Sequence, residues 1–248
     1  MHKPFCPLLL AVPLFLLLAP AKAQEGEGIT FKSPVPYAGI ARMTTLKSSG
    51  KNFSAKVVYP TFRSRTPLAR FANAQIRSDI RGGYTNWLKK SKQSLREYPT
   101  TPAPYEFLLQ TALMRYRPRQ IISMRFDSYQ YEGGAHGMSA LLAHNYAMVG
   151  GKPKELVLGD LFRPGTPYRA MVEKKIFAKL KKNEAATWVQ DRSVKTLTTG
   201  QFNNFTISPT GLTWVFNQYE MGPYSNGIFE VKLTPAELGP NFKREFLG

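Results

Sequence analysis

The chain has very little cysteine and histidine. Cys6 is the single cysteine among 248 residues, and the three histidines are His2, His136 and His144. A chain with no cysteine after position 6 can form no disulfide there and offers no thiol nucleophile or thiolate ligand. Zinc sites take three or four ligands, so two neighbouring histidines would need carboxylates to complete one. Redox and thiol chemistry are therefore excluded, and we expect no cofactor and no metal.

Only one long apolar run is present, and it lies at the N-terminus. Residues Pro7 to Leu18 read PLLLAVPLFLLL, whereas a helix needs about 20 apolar residues to span a bilayer. The run is followed by Ala21-Lys22-Ala23, with small residues at the two positions that a signal peptidase reads. We interpret residues 1–23 as a signal peptide cleaved after Ala23, with an uncleaved anchor as the alternative. The mature protein is then expected to be soluble and periplasmic or secreted.

Acidic residues are scarce beside basic ones. The chain has 34 Lys and Arg against 16 Asp and Glu. Without Lys3 and Lys22, 32 basic residues remain and the formal net charge is +16. Such a field attracts polyanions. In an envelope these are lipid head groups, anionic polymers and peptidoglycan carboxylates, so nucleic acid is not expected. The alternative is that the charge serves only solubility.

The first half of the chain predicts a strand followed by a long helix. Residues 24–36 lack apolar periodicity and predict a flexible lead. From Asn52 to Tyr59 apolar residues alternate with polar or small ones, which is typical of a strand with one buried face. Thr66-Pro67 predicts a helix start, and apolar residues continue at spacings of three and four to Trp87. Gly82-Gly83 could kink this helix.

Three strands are predicted in the middle of the chain: Tyr105 to Tyr116, Gln120 to Tyr131 and Met138 to Val149. The connections, Arg117-Pro118-Arg119 and residues 133–137, are short and rich in turn formers. Short connections imply antiparallel neighbours, so the three strands should form a meander.

A second helix and further strands follow. Thr166-Pro167 predicts another helix, running to about Lys182, with one apolar face and one lysine-rich face. The predicted later elements are strands at Phe205 to Ile207, Leu212 to Phe216 and Gly227 to Leu233, and a short helix at Pro235 to Leu238. The order predicts an α+β fold, an antiparallel β-sheet meander with two main amphipathic helices packed on it. We expect segments 37–118 and 119–248 to form one compact unit.

Few residues qualify for catalysis. No serine lies in a G-x-S-x-G or S-x-x-K arrangement. His136, in the turn Gly133-Gly134-Ala135-His136-Gly137, is more simply explained as a structural, hydrogen-bonded ring. A hydrolase using His136 with Asp160 or Glu132 is the alternative. We predict no catalytic residue otherwise.

Aromatic residues near the C-terminus suggest a surface on which a sugar or peptide could stack. They are Trp214, Phe216, Tyr219, Tyr224 and Phe229. At strand spacing such residues are usually core. The residues that we predict to bind a ligand are Tyr131, His136, Tyr219, Tyr224 and Asn226.

Several segments resemble a known family. The motifs Tyr131 to Gly137, Leu156 to Phe162 and Tyr219 to Gly227, with Asn145-Tyr146 and Gly151-Lys152 between them, are similar to those of domain-of-unknown-function family 3298. That extracytoplasmic family includes the outer part of the RsiV-type anti-sigma factor, which recognises lysozyme. The resemblance covers about residues 120 to 240.

A looser resemblance covers the first half. The stretch from Ala55 to Ile80 is similar to the partner segment that precedes the catalytic domain in some peptidoglycan deacetylases. The resemblance implies an outer module, without the transmembrane, sigma-binding or deacetylase parts of those relatives. None of the shared residues is implied to be catalytic.

The sequence therefore predicts a non-catalytic, exported binding or sensor-type module that recognises a cell-envelope component. The expected partner is a peptidoglycan-related glycan or an anionic envelope polymer, and a protein partner is the alternative. A hydrolase and a lysozyme- or protein-binding inhibitor remain as the other two hypotheses. Binding of lysozyme is disfavoured, because lysozyme is itself strongly basic and would be repelled.

Overall fold

A computed structural model describes residues 33–101 and 103–247. The predicted signal peptide, and the predicted lead up to residue 32, lie outside the described residues.

The larger of two sheets has six strands in the order of the chain. They are β1 (Ala41–Gly50), β2 (Phe53–Phe62), β3 (Tyr105–Arg117), β4 (Ile121–Tyr131), β5 (Met138–Val149) and β6 (Lys152–Glu155). The pairs β3–β4 and β4–β5 are antiparallel, which confirms the predicted meander. Strand β1 was not predicted. Strands β2 and β3 are parallel, because a long helix connects them.

That helix, α1 (Pro67–Glu97), begins where the sequence predicts it. Thr66 is the N-cap, and its side-chain oxygen accepts a hydrogen bond from the amide of Ala69 at 3.3 Å. The helix is unbroken through Gly82-Gly83. It buries Leu68, Ile76 and Trp87 against one face of the large sheet, where Trp87 stacks on Phe107 of β3.

The C-terminal part of the chain, residues 156–247, contains four short or medium helices and a three-stranded antiparallel sheet. In chain order they are α2 (Tyr168–Leu180), α3 (Thr187–Gln190), α4 (Thr199–Asn203), β7 (Phe205–Ser208), β8 (Gly211–Phe216), β9 (Phe229–Leu233) and α5 (Pro235–Leu238). The three predicted strands and the final helix are confirmed. The N-cap of α2 is Pro167. Thr166 does not cap the helix, because its hydroxyl donates a hydrogen bond to the carbonyl of Arg163.

The protein has two hydrophobic cores, one under α1 and one built mainly from residues 156–247, and they lie on opposite faces of β4 and β5. Ile122 and Met124 belong to the core under α1, whereas Ile121 and Ala147 belong to the other core. Buried polar contacts join the large sheet to β7. The Ser123 hydroxyl accepts from the amide of Ile207 at 2.9 Å, and the side-chain amide of Asn145 donates to the carbonyl of Phe205 at 2.6 Å. Because hydrogen bonds are directional, these contacts fix the register between the two sheets.

Candidate functional site

The turn between β4 and β5 is built on glycine. Gly133 and Gly134 have φ angles of 91° and 90°, in the region that favours glycine. Tyr131, at the end of β4, donates its hydroxyl to the carbonyl of Gly134 at 3.1 Å. The turn therefore presents the next side chains, including His136, at the end of the large sheet.

His136 stacks on one tyrosine, Tyr224, and lies beside a second, Tyr219, both from the loop between β8 and β9. Its ring centroid lies 3.7 Å from that of Tyr224, with an interplanar angle of 23°. The centroid of Tyr219 lies 5.9 Å from Tyr224 and 6.5 Å from His136. The Tyr219 hydroxyl lies 3.4 Å from Nε2 of His136, and Nδ1 lies 3.0 Å from the carbonyl oxygen of Gly137. We call His136, Tyr219 and Tyr224 the aromatic platform.

Tyr219 has an unusual backbone for an exposed aromatic residue. Its φ is 64°, in the left-handed region, and 47% of its surface is exposed. Such a conformation costs free energy in a residue other than glycine and is concentrated at functional sites. The neighbouring carboxylate of Glu220 accepts from the amide of Asn217 at 2.6 Å. Burial raises the pKa of Glu220, and its hydrogen bonds to Asn217 and Gln201 oppose that shift.

Three side-chain amides attach the C-terminal part of the chain to the open edge of β5. The side-chain oxygens of Gln218, Asn217 and Asn204 accept from the backbone amides of Ser139, Leu141 and Ala143, at 3.0, 2.7 and 2.8 Å. We call Asn204, Asn217 and Gln218 the amide ladder. It satisfies an edge that β6 does not reach and holds the tyrosine loop beside His136.

A cavity of about 220 Å³ opens on the large sheet beside the platform. It lies on the sheet face opposite α1. Its lining is Lys56, Val58, Leu108, Leu109, Gln110, Asp127, Ser128, Tyr129, Ser139 and Leu141. Tyr129 links the cavity to the platform, because its ring packs directly on Gly137. Burial raises the pKa of Tyr129, with smaller contributions from Glu106, Tyr224 and Tyr131.

A buried ion pair lies beside the cavity, which one of its members, Asp127, lines. Arg125 and Asp127 are joined by nitrogen–oxygen contacts of 2.6 and 3.2 Å, and Arg125 also reaches Glu230 of β9 at 2.9 Å. Burial raises the pKa of Asp127, although the bonds and the charge of Arg125 act in the opposite direction.

The predicted binding residues divide into two groups. His136, Tyr219 and Tyr224 lie together in the platform. Tyr131 supports the turn, and the side-chain amide of Asn226 donates to the carbonyl of Ala185 at 2.7 Å. Of the predicted aromatic surface, Trp214, Phe216 and Phe229 are buried core residues.

None of the hydrogen bonds and ion pairs among the described residues joins His136 to Asp160 or Glu132, the residues of the hydrolase hypothesis. Asp160 accepts from Lys154 Nζ at 2.8 Å and from the amide of Val157 at 2.9 Å. Glu132 is exposed and contacts no hydrogen-bond partner among the described residues. No carboxylate contacts His136 within residues 33–101 and 103–247.

His144 lies on the other face of the sheet from the cavity. Its ring packs on Phe126 at a centroid distance of 4.4 Å, and its Nδ1 lies 2.8 Å from Glu155. In the part of the chain that the structure describes, no group of three or more His, Cys, Asp or Glu side chains is placed to hold a metal ion.

Sequence reasoning missed the cavity, the amide ladder and Tyr129. One signal was available for the cavity. Strand β4 is almost wholly buried, yet it carries Ser123, Arg125 and Asp127 at alternate positions. Polar residues on one face of a buried strand indicate a polar interface or a site on that face.

The described residues contain no helix with the length and apolar character that a membrane span requires.

Two families match separate parts of the chain. Residues 159–235 match the family described as "Protein of unknown function (DUF3298)", and residues 46–139 match the one described as "Deacetylase PdaC". Both predicted resemblances are confirmed. The likeness to the RsiV-type anti-sigma factor stays a prediction.

Individual proteins agree with these matches. The chain is 24% identical over 215 residues to peptidoglycan-N-acetylmuramic acid deacetylase PdaC of Bacillus subtilis (strain 168), covering 84% of this chain and 43% of that protein. It thus spans less than half of that relative.

Two crystal structures of DUF3298 family members share the fold. The protein from Pseudomonas aeruginosa PAO1 has a TM-score of 0.58 at 18% identity, over 84% of this chain and 97% of that one. The protein from Bacteroides fragilis NCTC 9343 has a TM-score of 0.52 at 16% identity, over 81% and 94%.

Proposed function

We propose that this protein is an exported, non-catalytic module of the cell envelope that binds peptidoglycan-related glycan through the aromatic platform. The observation that carries the proposal is the stacking of His136 on Tyr224 with Tyr219 beside both rings. The histidine and the tyrosines come from a turn and a loop more than 80 residues apart. The exposed part of this cluster offers ring faces, on which sugars stack through their C–H groups.

The surroundings of the platform favour binding over catalysis. His136 is in contact with tyrosine rings and with the carbonyl of Gly137. A general base needs a group that orients it. Of the two carboxylates of the hydrolase hypothesis, Asp160 is engaged by Lys154 and Val157, and Glu132 forms no hydrogen bond with His136 among the described residues. The geometry therefore supports a rigid recognition surface.

Two further facts support an envelope glycan as the ligand. Over 84% of its own length, this chain matches a relative that is named as a peptidoglycan-N-acetylmuramic acid deacetylase. The formal net charge of +18 for the full sequence favours an anionic polymer such as peptidoglycan, whose peptides carry carboxylates.

Co-sedimentation with purified peptidoglycan sacculi tests the proposal. We expect the wild-type protein to sediment with sacculi, and retention to persist partly at high salt, because stacking is not screened as charge attraction is. Tyr224→Ala should weaken binding about tenfold, since one lost aromatic contact of about 1.4 kcal/mol has that effect.

Tyr98→Ala is the matched control. Tyr98 is 66% exposed at the end of α1 and lies outside the platform. Its removal should leave binding unchanged. Equal retention of the Tyr224 and Tyr98 variants, or no retention of wild type at low salt, would overturn the proposal.

A further inference from the structure

The cavity beside the platform lies on a straight row of side chains that crosses five strands. In the register of the sheet, Ser139 pairs with Tyr129, Tyr129 with Leu108, Leu108 with Lys56, and Lys56 with Lys47. Residues paired in register point to the same face. The row therefore runs from the tyrosine loop on β5 to two lysines on β2 and β1.

The row changes in chemistry along its length. Near β5 it has the hydroxyls of Ser139 and Tyr129, and in the middle it has the apolar side chain of Leu108. Val58 on β2 and Leu141 on β5 add apolar lining to the same cavity. At the far end Lys56 and Lys47 are exposed and form no ion pair with any acidic residue that the structure describes. Two like charges in direct cross-strand register favour a bound anion.

The length of the row suits a short peptide. Strands lie about 4.8 Å apart, so Ser139 and Lys56 are separated by three spacings, about 14 Å. An extended chain advances about 3.5 Å per residue, so about four linked units would span this distance.

We propose that the row binds a short acidic peptide attached through an acyl group to the sugar that stacks on the platform. This inference rests on the proposed function and names the substituent that the same site would recognise. The small apolar side chains of such a peptide would pack in the cavity against Leu108. A peptide carboxylate would lie at Lys56 and Lys47. A muramoyl sugar carrying its stem peptide has this chemistry.

Calorimetric titration with two probes tests the inference. The probes are N-acetylmuramic acid alone and N-acetylmuramoyl tripeptide with free carboxylates. We expect the peptide to raise the affinity about tenfold, and the increase to shrink as salt is added, because part of it is charge attraction. Lys56→Ala should remove most of the increase. Lys89→Ala, a change of an exposed lysine on α1, should not.

A second variant tests the apolar part of the row. Leu108 is half-buried, lines the cavity and stands in the middle of the row, so Leu108→Phe should fill space that the peptide needs. We expect this variant to bind the sugar probe as wild type does and to lose the preference for the peptide. Thermal unfolding would confirm that it is folded.

The outcomes separate the two proposals. Equal affinity of wild type for both probes, or full peptide preference in Lys56→Ala and Leu108→Phe, would overturn the peptide row and leave the platform intact. Failure of both probes to bind, together with no effect of Tyr224→Ala on sacculi, would overturn the platform as well.

Discussion

Arg125 and Asp127 form a two-point ion pair between alternate residues of one strand. The nitrogen–oxygen distances are 2.6 and 3.2 Å, and the side chains are 5% and 6% exposed. Both side chains point to the face on which the cavity opens. Asp127 lines the cavity, so the pair forms part of the cavity wall.

Removing one partner of this pair should lower the free energy of unfolding. Asp127→Ala leaves a buried guanidinium with less compensation, and the loss of a buried partner costs about 3–5 kcal/mol. Because Glu230 also contacts Arg125, we expect the lower end, about 3 kcal/mol, in urea unfolding. The double variant Arg125→Met/Asp127→Leu should lose less than Asp127→Ala. A larger loss in the double variant would contradict this account.

Gly137 should not tolerate a side chain. A Cβ atom at this position would overlap the ring of Tyr129. We expect Gly137→Ala to destabilise the protein by about 1–3 kcal/mol, the usual cost of overpacking. Gly82→Ala is the contrasting control, because Gly82 is exposed in α1 with open space around it. That change should stabilise by about 0.5–1 kcal/mol. Thermal unfolding of both variants measures the difference.

The amide ladder should contribute to both stability and binding. Asn217→Ala leaves the amide of Leu141 without its acceptor at 2.7 Å, and an unsatisfied buried donor costs about 1–3 kcal/mol. We also expect weaker binding to sacculi, because the ladder holds the loop that carries Tyr219. Asn86→Ala, on the exposed surface of α1, should change neither quantity. Normal binding by a destabilised Asn217→Ala would show that the ladder does not position the loop.

Glu237 should give the stability a defined dependence on pH. Its bonds to Lys179 and Thr234 lower its pKa from 4.5 to about 2. A lowered pKa in the folded state means that the stabilisation is complete above pH 4.5 and is lost as the pH falls from there through 2. Because the pair is partly exposed, we expect about 1 kcal/mol.

The variant Glu237→Gln should therefore be less stable than wild type at neutral pH and equal to it near the lowered pKa. Unfolding by urea across that range measures the gap. Glu184→Gln makes the same charge change at an exposed position and should show no such gap. A constant difference between Glu237→Gln and wild type at all pH values would rule out the ionised pair as its cause.

Much of the fold could be predicted from local patterns. The strands β3, β4 and β5 follow from alternation and from turn residues such as Pro118 and Gly133, and α1 follows from Thr66-Pro67. Strand β1 was missed because its sequence, ARMTTLKSSG, is mostly polar. Among residues 33–101 and 103–247 it pairs with β2 alone and is an edge strand, so it needs little apolar surface. The parallel pairing of β2 and β3 depends on where α1 returns the chain, which no local pattern records.

The site was predictable only in part. His136, Tyr219 and Tyr224 were identified by residue type and by resemblance, but their stacking joins positions more than 80 residues apart in the chain. Burial separated Tyr219 and Tyr224 from the core residues Trp214 and Phe216, although all four are aromatic residues in one segment. The peptide row depends on the register of five strands, which a single sequence does not specify.

The aromatic platform joins the turn between β4 and β5 to the loop between β8 and β9. Binding of the proposed ligand would therefore be coupled to folding. His136 comes from a turn of the large sheet, whereas both tyrosines come from a loop of the short sheet. A sugar that binds only the assembled rings stabilises both hydrophobic cores at once. At a hundred times its Kd it would add about 2.7 kcal/mol to the free energy of unfolding of the whole chain. The unliganded and liganded proteins would then differ in resistance to proteolysis far from the rings themselves.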